Sequence, residues 1–304
     1  MAKFTILSYE FRTVQDPYDN TLFPKRTQAE KDEIFEHKQE YFDEFFKPEN
    51  FPEFFIYSGR NYRVQLLWKY NDIIVFQMEK RGWYNQSIDF HNNQIPDNRW
   101  LDIIIDNRAQ RQFIAVRKNA SVFKKPNTVA KIIEENVTAW LNDKCGLEVS
   151  VKTQYHSKAF WDIFDKYNKV HGIERLQFNF PFPNKDWISD NIEELMLFGK
   201  ARNGATRLGI EAAKGEKLYF EKNEDNQKLV NTCSGTGVDV LIKPREHRVI
   251  HVVKEMNPIE KEMSDGALKK VLAPDSQTPI EDESVLLAYQ KAGEFLNKCE
   301  QYYE

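Results

Sequence analysis

The chain has 304 residues, of which 41% are hydrophobic and 30% are charged, so it is long and apolar enough to form one large or two ordinary folded domains. Lys and Arg number 43 against 47 Asp and Glu, which gives a formal net charge of −4. This balance excludes a protein that coats nucleic acid through its bulk charge, although it leaves room for a local basic surface.

The sequence has no segment typical of export or of a membrane span. The opening MAKFTILSYEF lacks the apolar centre of a signal peptide, and no apolar run approaches the roughly 18 residues of a transmembrane helix. Cys145, Cys233 and Cys299 are widely separated and form neither a CxxC pair nor a disulfide framework. We therefore expect a cytoplasmic protein with no membrane partner.

Residues 1–95 are predicted to form a strand-rich region with one amphipathic helix. KFTILSYEF has the alternation of an opening strand. Thr27 and Glu30 have the spacing of a capping box, which predicts the start of the helix, and Pro48 predicts its end. Three strands follow, the last two joined by a turn at residues 70–72: FFIYSG, YRVQLLWKY and DIIVFQMEK. The polar segment HNNQIPDNR is predicted to be a loop that ends this region.

Residues 96–255 are predicted to form a central α+β domain. From Trp100 to Asn184 the patterns follow the order β-β-α-β-α-β, with the strands WLDIIID, QFIAVRK, LEVSVKT and IERLQFNFPF. Three more strands are predicted after it: RLGIEAA, VDVLIKP and RVIHVV. Ser234–Gly237 is interpreted as a glycine-rich β-turn, with a small anion-binding loop as the alternative. The predicted fold class is α+β, an antiparallel or mixed sheet with helices on one face.

Two more helices are predicted towards the end of the chain. Asp190 and Glu193 form a second capping box, for a helix that reaches about Arg202. Residues 256–304 are predicted to be a linker and a C-terminal helix, whose heptad stripe favours docking on the same chain, with an oligomer through this helix as the alternative. The apolar faces of the central elements predict six buried residues: Ile133, Trp140, Phe160, Trp161, Phe164 and Phe178.

Asp102 and Asp106 are the only candidates for catalytic residues that we single out. They lie four residues apart in one strand, so their side chains point to the same face. Paired carboxylates hold Mg²⁺ in enzymes that act on phosphodiesters, and such a site would bring these two within about 5 Å of one another. The competing interpretation is that both carboxylates end the strand and start its turn. The six histidines show no metal-ligand spacing, so no metal site is predicted.

Two local clusters of basic residues occur in a chain whose overall charge is nearly balanced. One surrounds the start of the first central helix: Arg117, Lys118, Lys124 and Lys125. The other falls within a stretch of 12 residues in the last predicted strands: Lys243, Arg245, Arg248 and Lys254. Dispersed cations of this kind bind phosphates, and Phe123 or Trp100 could stack on a base, so in a nucleic-acid-binding protein the clusters should converge on one surface. The alternative is solvated charge that protects edge strands from aggregation.

Several segments resemble a loose group of bacterial proteins of similar length: RQFIAVRKNASVF, LEVSVKT, AFWDIFDKY, IERLQFNFPFPN and CSGTGVDV. This group is similar to the DNA-binding second subunit of the Kiwa phage-defence system. The resemblance covers about residues 100–253, and its motifs are Phe and Trp core positions and a Pro-Asn turn. It therefore implies a shared fold and carries over no catalytic residues.

The resemblance and the basic clusters together predict a non-enzymatic component of a bacterial phage-defence system. Its expected partner is nucleic acid or another defence-system protein, and no cofactor is expected. One alternative is a metal-dependent nuclease or nucleotide-processing enzyme, which would use Mg²⁺ at Asp102 and Asp106. The other is a protein–protein adaptor or a phage-encoded inhibitor, which the acidic net charge and the aromatic content of 13% would suit.

Overall fold

The computed structural model describes residues 1–13, 27–88, 91–179, 207–275, 277–279 and 281–300. The helix predicted from Asp190 to about Arg202 lies outside these residues. Within the described ranges, no helix is both long enough and apolar enough to span a membrane. The described helices are α1 (Gln28–Glu36), α2 (Lys38–Phe45), α3 (Pro126–Cys145), α4 (Ser157–Val170), α5 (Glu224–Thr236), α6 (Val252–Glu255), α7 (Asp265–Val271) and α8 (Glu283–Glu300).

The described strands form two larger sheets and one hairpin, and all their pairings are antiparallel. In chain order they are β1 (Ala2–Thr13), β2 (Phe54–Tyr57), β3 (Arg60–Tyr70), β4 (Ile73–Lys80), β5 (Trp83–Ile88), β6 (His91–Pro96), β7 (Arg99–Asp106), β8 (Phe113–Arg117), β9 (Leu147–Thr153), β10 (Ile173–Asn179), β11 (Arg207–Glu211), β12 (Val240–Pro244), β13 (Ile250–His251) and β14 (Glu260–Met263).

The large sheet has eight strands in the order β14-β1-β8-β7-β4-β3-β2, with β9 also paired to β1. Strand β1 is long enough to have two partners: Ala2–Thr5 pairs with β14, and Leu7–Thr13 pairs with β9. Its residues Phe4–Ser8 pair with β8. At the change of partner, the N–H of Gln154 donates to the carbonyl oxygen of Ile6 over 3.1 Å. Segments from both ends of the chain therefore meet in one sheet.

Helices cover both faces of the large sheet. Ile103 and Ile105 of β7 belong to a core that also contains α2 and α3, whereas Ile104 belongs to a second core with α7 and α8. The strand WLDIIID is a nearly continuous apolar run because both of its faces are buried. The α+β class is confirmed, but the helices lie on two faces instead of the one predicted.

A smaller sheet in the order β11-β10-β12-β13 has its own core. Helices α4 and α5 pack on it, with Phe160 and Phe164 of α4 next to Phe178 of β10. The predicted unit β-β-α-β-α-β is present in the chain order, but its last strand belongs to this second sheet. Of the six predicted core residues, Trp140 is half-buried, and five are buried: Ile133, Phe160, Trp161, Phe164 and Phe178.

The capping box at the first helix is confirmed. The N–H of Thr27 donates to a carboxylate oxygen of Glu30 over 2.6 Å, and the Thr27 hydroxyl accepts from the N–H of Glu30. The single predicted helix is in fact two, since the backbone leaves the helical region at His37, between α1 and α2.

Two segments predicted as turn or loop are ordered elements. HNNQIPDNR does not form a loop, because β6 within it pairs with β5 from Trp83↔Pro96 to Ile88↔His91. Ser234–Gly237 is not a β-turn: it is the C-terminal end of α5, and Gly237 follows with a left-handed φ of 68°. The hydroxyl of Thr236 donates to the carbonyl oxygen of Thr232 over 2.8 Å, which is a bond that threonine can form to the preceding turn of a helix.

The predicted strand RVIHVV is only two residues long and continues as the short helix α6. Asp239 accounts for the change of direction. One of its carboxylate oxygens contacts Nδ1 of His251 at 2.5 Å, and the other accepts from the N–H of Val253 over 3.1 Å. These bonds satisfy the backbone where the strand ends.

The large sheet continues across the boundary predicted between residues 95 and 96, because β4 pairs with β7 over eight residues. The division into residues 1–95, 96–255 and 256–304 stays a prediction. The small sheet is joined to the large one near Tyr155, whose hydroxyl donates to the carbonyl of Val238 over 2.6 Å and whose N–H donates to Ser234.

Candidate nucleic-acid interface

The two candidate catalytic aspartates are fully buried in separate ion pairs. Asp102 accepts from Nη1 of Arg117 and from Nε2 of Gln77, both over 2.8 Å. Asp106 accepts two bonds from the side chain of Arg108, from Nε over 2.7 Å and from Nη2 over 2.5 Å. The paired carboxylate raises the pKa of Arg108 above its ordinary value, so this guanidinium stays charged.

Strand geometry keeps the two aspartates apart. Four residues of extended chain at about 3.3 Å per residue separate them by roughly 13 Å. The expectation that Asp102 and Asp106 meet within about 5 Å around Mg²⁺ is therefore wrong. Guanidinium groups occupy the positions that a metal would need. No set of three or more His, Cys, Asp or Glu side chains in the described ranges is arranged to hold a metal ion.

The turn after β7 is held by a buried polar network that sequence analysis did not identify. The hydroxyl of Tyr9 donates to Oδ1 of Asn107 over 2.7 Å, and Nδ2 of Asn107 donates to Asp43 over 3.0 Å. Lys69 pairs with the same Asp43 at 2.8 Å. Burial raises the pKa of Tyr9 well above its usual range, with the Asp106 charge as a further cause, so the phenol acts as a donor. This network connects α2 to the large sheet.

Two cations of the first basic cluster are neutralised by partners on the same sheet. Arg117 pairs with Asp102, and Nζ of Lys118 lies 2.6 Å from a carboxylate oxygen of Glu260. Lys124 and Lys125 are exposed and lie directly before α3. The first cluster therefore presents less net positive charge than its sequence indicates.

Two cations of the second cluster contact backbone oxygens instead of carboxylates, and a third is exposed. Nζ of Lys243 donates to the carbonyl of His247 over 2.6 Å, and a guanidinium nitrogen of Arg245 donates to the carbonyl of Glu216. Arg248 is exposed. In the part of the chain that the structure describes, none of these three cations forms an ion pair with a carboxylate. Their charge is available to an external anion.

Three aromatic rings lie beside these cations. Tyr167 and His171 come from the end of α4, and His247 comes from the turn between β12 and β13. The centroid of the His247 ring is 5.1 Å from that of His171 and 5.4 Å from that of Tyr167. The N–H of Arg245 donates to the carbonyl of Gly172 over 3.0 Å, which fixes the turn against the end of α4.

We call this surface the hairpin patch and define it by six residues: Tyr167, His171, Lys243, Arg245, His247 and Arg248. The sequence predicted its cations but not its rings. The spacing of four residues between Tyr167 and His171 on a helix is a signal that could have identified that pair. Their contact with His247 depends on the tertiary fold.

The predicted basic residues lie in three places. Arg117, Lys118 and Lys124 line one small pocket on the large sheet. Lys243, Arg245 and Arg248 belong to the hairpin patch on the small sheet, and Lys254 lines a cleft between the two sheets. The two aromatic residues predicted to stack on a base differ in exposure. Trp100 is 54% exposed, whereas Phe123 is half-buried against Tyr62.

Comparison of the chain with protein-family models, with curated proteins and with solved structures finds no match in any of the three. The resemblance to the Kiwa subunit stays an expectation from the sequence.

Proposed function

We propose that the protein binds single-stranded nucleic acid through the hairpin patch. The observation that carries the proposal is the contact of three aromatic rings beside three cations that have no carboxylate partner among the described residues. Proteins bind single strands by combining these two features, namely rings that stack on bases and cations that contact the backbone.

The geometry of the patch suits unpaired bases better than a closed duplex. Tyr167, His171 and His247 are half-buried, so each is held by its surroundings and keeps part of its ring accessible. Stacking of a base on such a ring contributes about 1–3 kcal/mol of binding free energy and is tolerant of sequence. The bases of a duplex are already stacked on each other and do not offer their faces. We therefore expect a preference for single strands.

The net charge of −4 makes the local arrangement of cations decisive. A negative molecule attracts a polyanion only where a surface has a local excess of positive charge. Lys166 adds to this excess, since its Nζ lies 5.3 Å from the centroid of the Tyr167 ring. Phosphates that contact the patch release condensed counterions, so binding should weaken as salt rises.

Fluorescence anisotropy with a labelled single-stranded oligonucleotide tests the charge component. The double variant Arg245→Ala/Arg248→Ala should bind at least about tenfold more weakly at low salt and flatten the salt slope by about 1.4, because each single-strand contact contributes about 0.7. Lys269→Ala/Lys270→Ala is the matched control, as it removes two exposed cations from α7. Equal binding by the two double variants, or undetectable binding by the unaltered protein at about 50 mM salt, would contradict the proposal.

The stacking component needs a separate pair of variants. Tyr167→Ala removes a ring and should weaken binding by about tenfold, whereas Tyr167→Phe keeps the ring and should bind like the unaltered protein. Thermal unfolding of both variants establishes that they are folded. An equal loss in Tyr167→Ala and Tyr167→Phe would show that the hydroxyl matters and the stacking does not.

We further propose that this binding serves defence against phage, for which the sequence resemblance is the support. A bacterium that carries the unaltered gene should then resist phage that plate normally on a strain with Arg245→Ala/Arg248→Ala. If the double variant leaves phage resistance unchanged, the defence role does not depend on the hairpin patch. Co-purification with a second defence protein, with no bound nucleic acid, would favour the adaptor alternative.

A further inference from the structure

A cleft of about 430 Å³ separates the large sheet from the small one. Its walls come from α3 and β9 on one side and from the segment after α5 and helix α6 on the other. The polar side chains that line it include Asn127, Lys131, Ser150, Lys152, Thr153 and Lys254. The volume is within the range of about 300–1,000 Å³ that is usual for small-molecule sites.

Both carboxylates at the cleft are already engaged within the protein. Glu134 accepts from the N–H of Val151 over 2.7 Å and lies 3.8 Å from the ammonium of Lys131. Asp239 accepts from the N–H of Val253 and contacts His251. Lys131 offsets the charge of Glu134, and His251 lies against Asp239, so both carboxylates have partners within the protein.

Lys152 and Lys254 are left as the cations available to a ligand. Neither forms an ion pair with a carboxylate in the described ranges, and the two come from opposite walls. Lys152 is half-buried, whereas Lys254 is exposed. The cleft is lined by three lysines against two carboxylates, which favours an anionic ligand.

The walls of the cleft are held close together at Gly237. This residue has a φ of +68°, and a Cβ atom there would overlap the carbonyl oxygen of Thr153 and crowd Cβ of Lys152. The close approach places β9 directly against the end of α5. Val253 is half-buried and gives the cleft an apolar part beside its cations, whereas Val151 and Val238 are buried in the walls.

We propose that this cleft is a second binding site, which takes a phosphorylated small molecule of about the size of a mononucleotide. Its phosphate contacts Lys152 and Lys254, and its organic part lies against Val253. The site shares no residue with the hairpin patch and does not depend on the function proposed for that patch. The chemistry that it recognises is a compact dianion attached to a partly apolar group.

Isothermal titration calorimetry with inorganic pyrophosphate and with adenosine monophosphate tests the proposal on the unaltered chain. Binding of either probe should weaken about tenfold or more in Lys152→Ala and in Lys254→Ala, because each removes one of two phosphate contacts. Lys158→Ala removes an exposed lysine from α4 and is the matched control. Thermal unfolding in the absence of ligand identifies any variant that fails to fold, and Lys152→Met, which keeps the length of the side chain and removes its charge, then replaces Lys152→Ala.

The outcomes distinguish this site from the hairpin patch. They also distinguish a small-molecule ligand from the phosphate backbone of a nucleic acid. Retention of probe binding in Arg245→Ala/Arg248→Ala supports an independent site. The proposal is wrong if neither probe binds at millimolar concentration or if Lys158→Ala weakens binding as much as the cleft variants do. It is also wrong if Lys152→Ala affects only oligonucleotide binding, since the cleft would then contact the nucleic-acid backbone.

Discussion

Arg117 of β8 forms a 2.8 Å ion pair with Asp102 of β7, and the aspartate has no exposed surface. The register of the two strands places them side by side, because Ile103 pairs with Val116 one position further along. The Arg117 side chain is 39% exposed, so the pair joins a buried carboxylate to a side chain that reaches the solvent. The pair explains why two residues predicted to serve different chemistries instead stabilise the same sheet.

We predict that Asp102→Asn lowers the free energy of unfolding by about 1–3 kcal/mol. The amide keeps the shape of the side chain but loses the charge-assisted bond from Arg117. Urea unfolding with an unchanged m-value measures the effect. Asp162→Asn on the exposed side of α4 should change stability by less than about 0.5 kcal/mol. Equal stability of the two variants would show that the ion pair contributes nothing.

Phe164→Ala should lower the free energy of unfolding by about 3–5 kcal/mol, through lost burial and the cavity left behind. Phe164 is 2% exposed and contacts Phe160, Trp161 and Phe220 in the core of the small sheet. Val170→Ala is the control on the same helix, because Val170 is 73% exposed. A melting temperature of Phe164→Ala equal to that of the control would show that this face of α4 is misplaced.

Gly237→Ala should destabilise the protein by about 1–3 kcal/mol, since an alanine there combines a left-handed backbone with a steric overlap at Thr153. Gly266→Ala provides the opposite case. Gly266 lies in α7 with no atom within 4 Å of a Cβ, so its replacement should be neutral or slightly stabilising. Differential scanning calorimetry compares the two. If both variants unfold at the same temperature, the left-handed backbone and the close contact with Thr153 do not restrict Gly237 as argued.

The three cysteines should resist iodoacetamide in the native protein at pH 8 and react once urea unfolds it. All three are buried, and burial raises the pKa of the Cys299 thiol to about 12 and that of Cys233 still further. Since the folded pKa of Cys299 lies above the ordinary value of 9.0, its contribution to stability is fully present below pH 9. It is lost as pH rises from there through about 12. Labelling of any cysteine in the native state at a rate close to that in urea would refute the burial.

Local patterns in the sequence correctly predicted the elements whose signals are contained within a few residues. The capping box at Thr27 is an example, because it depends on bonds between close neighbours. A local pattern gave the wrong prediction at Ser234–Gly237, where two glycines and two hydroxyl residues are typical of a β-turn. Burial of Leu229 and Cys233 against the small sheet keeps that segment helical.

By itself, the sequence determined the α+β class, the order of the central elements and five of the six proposed core positions, since these follow from periodicity and burial along the chain. The tertiary structure decided which side chains meet. Asp102 and Asp106 share a strand face as predicted, but Asp102 is neutralised by Arg117, which comes from the neighbouring strand. His247 meets Tyr167 only because a hairpin 80 residues further along the chain closes on α4. A contact of that kind depends on how distant segments pack, and no local pattern records it.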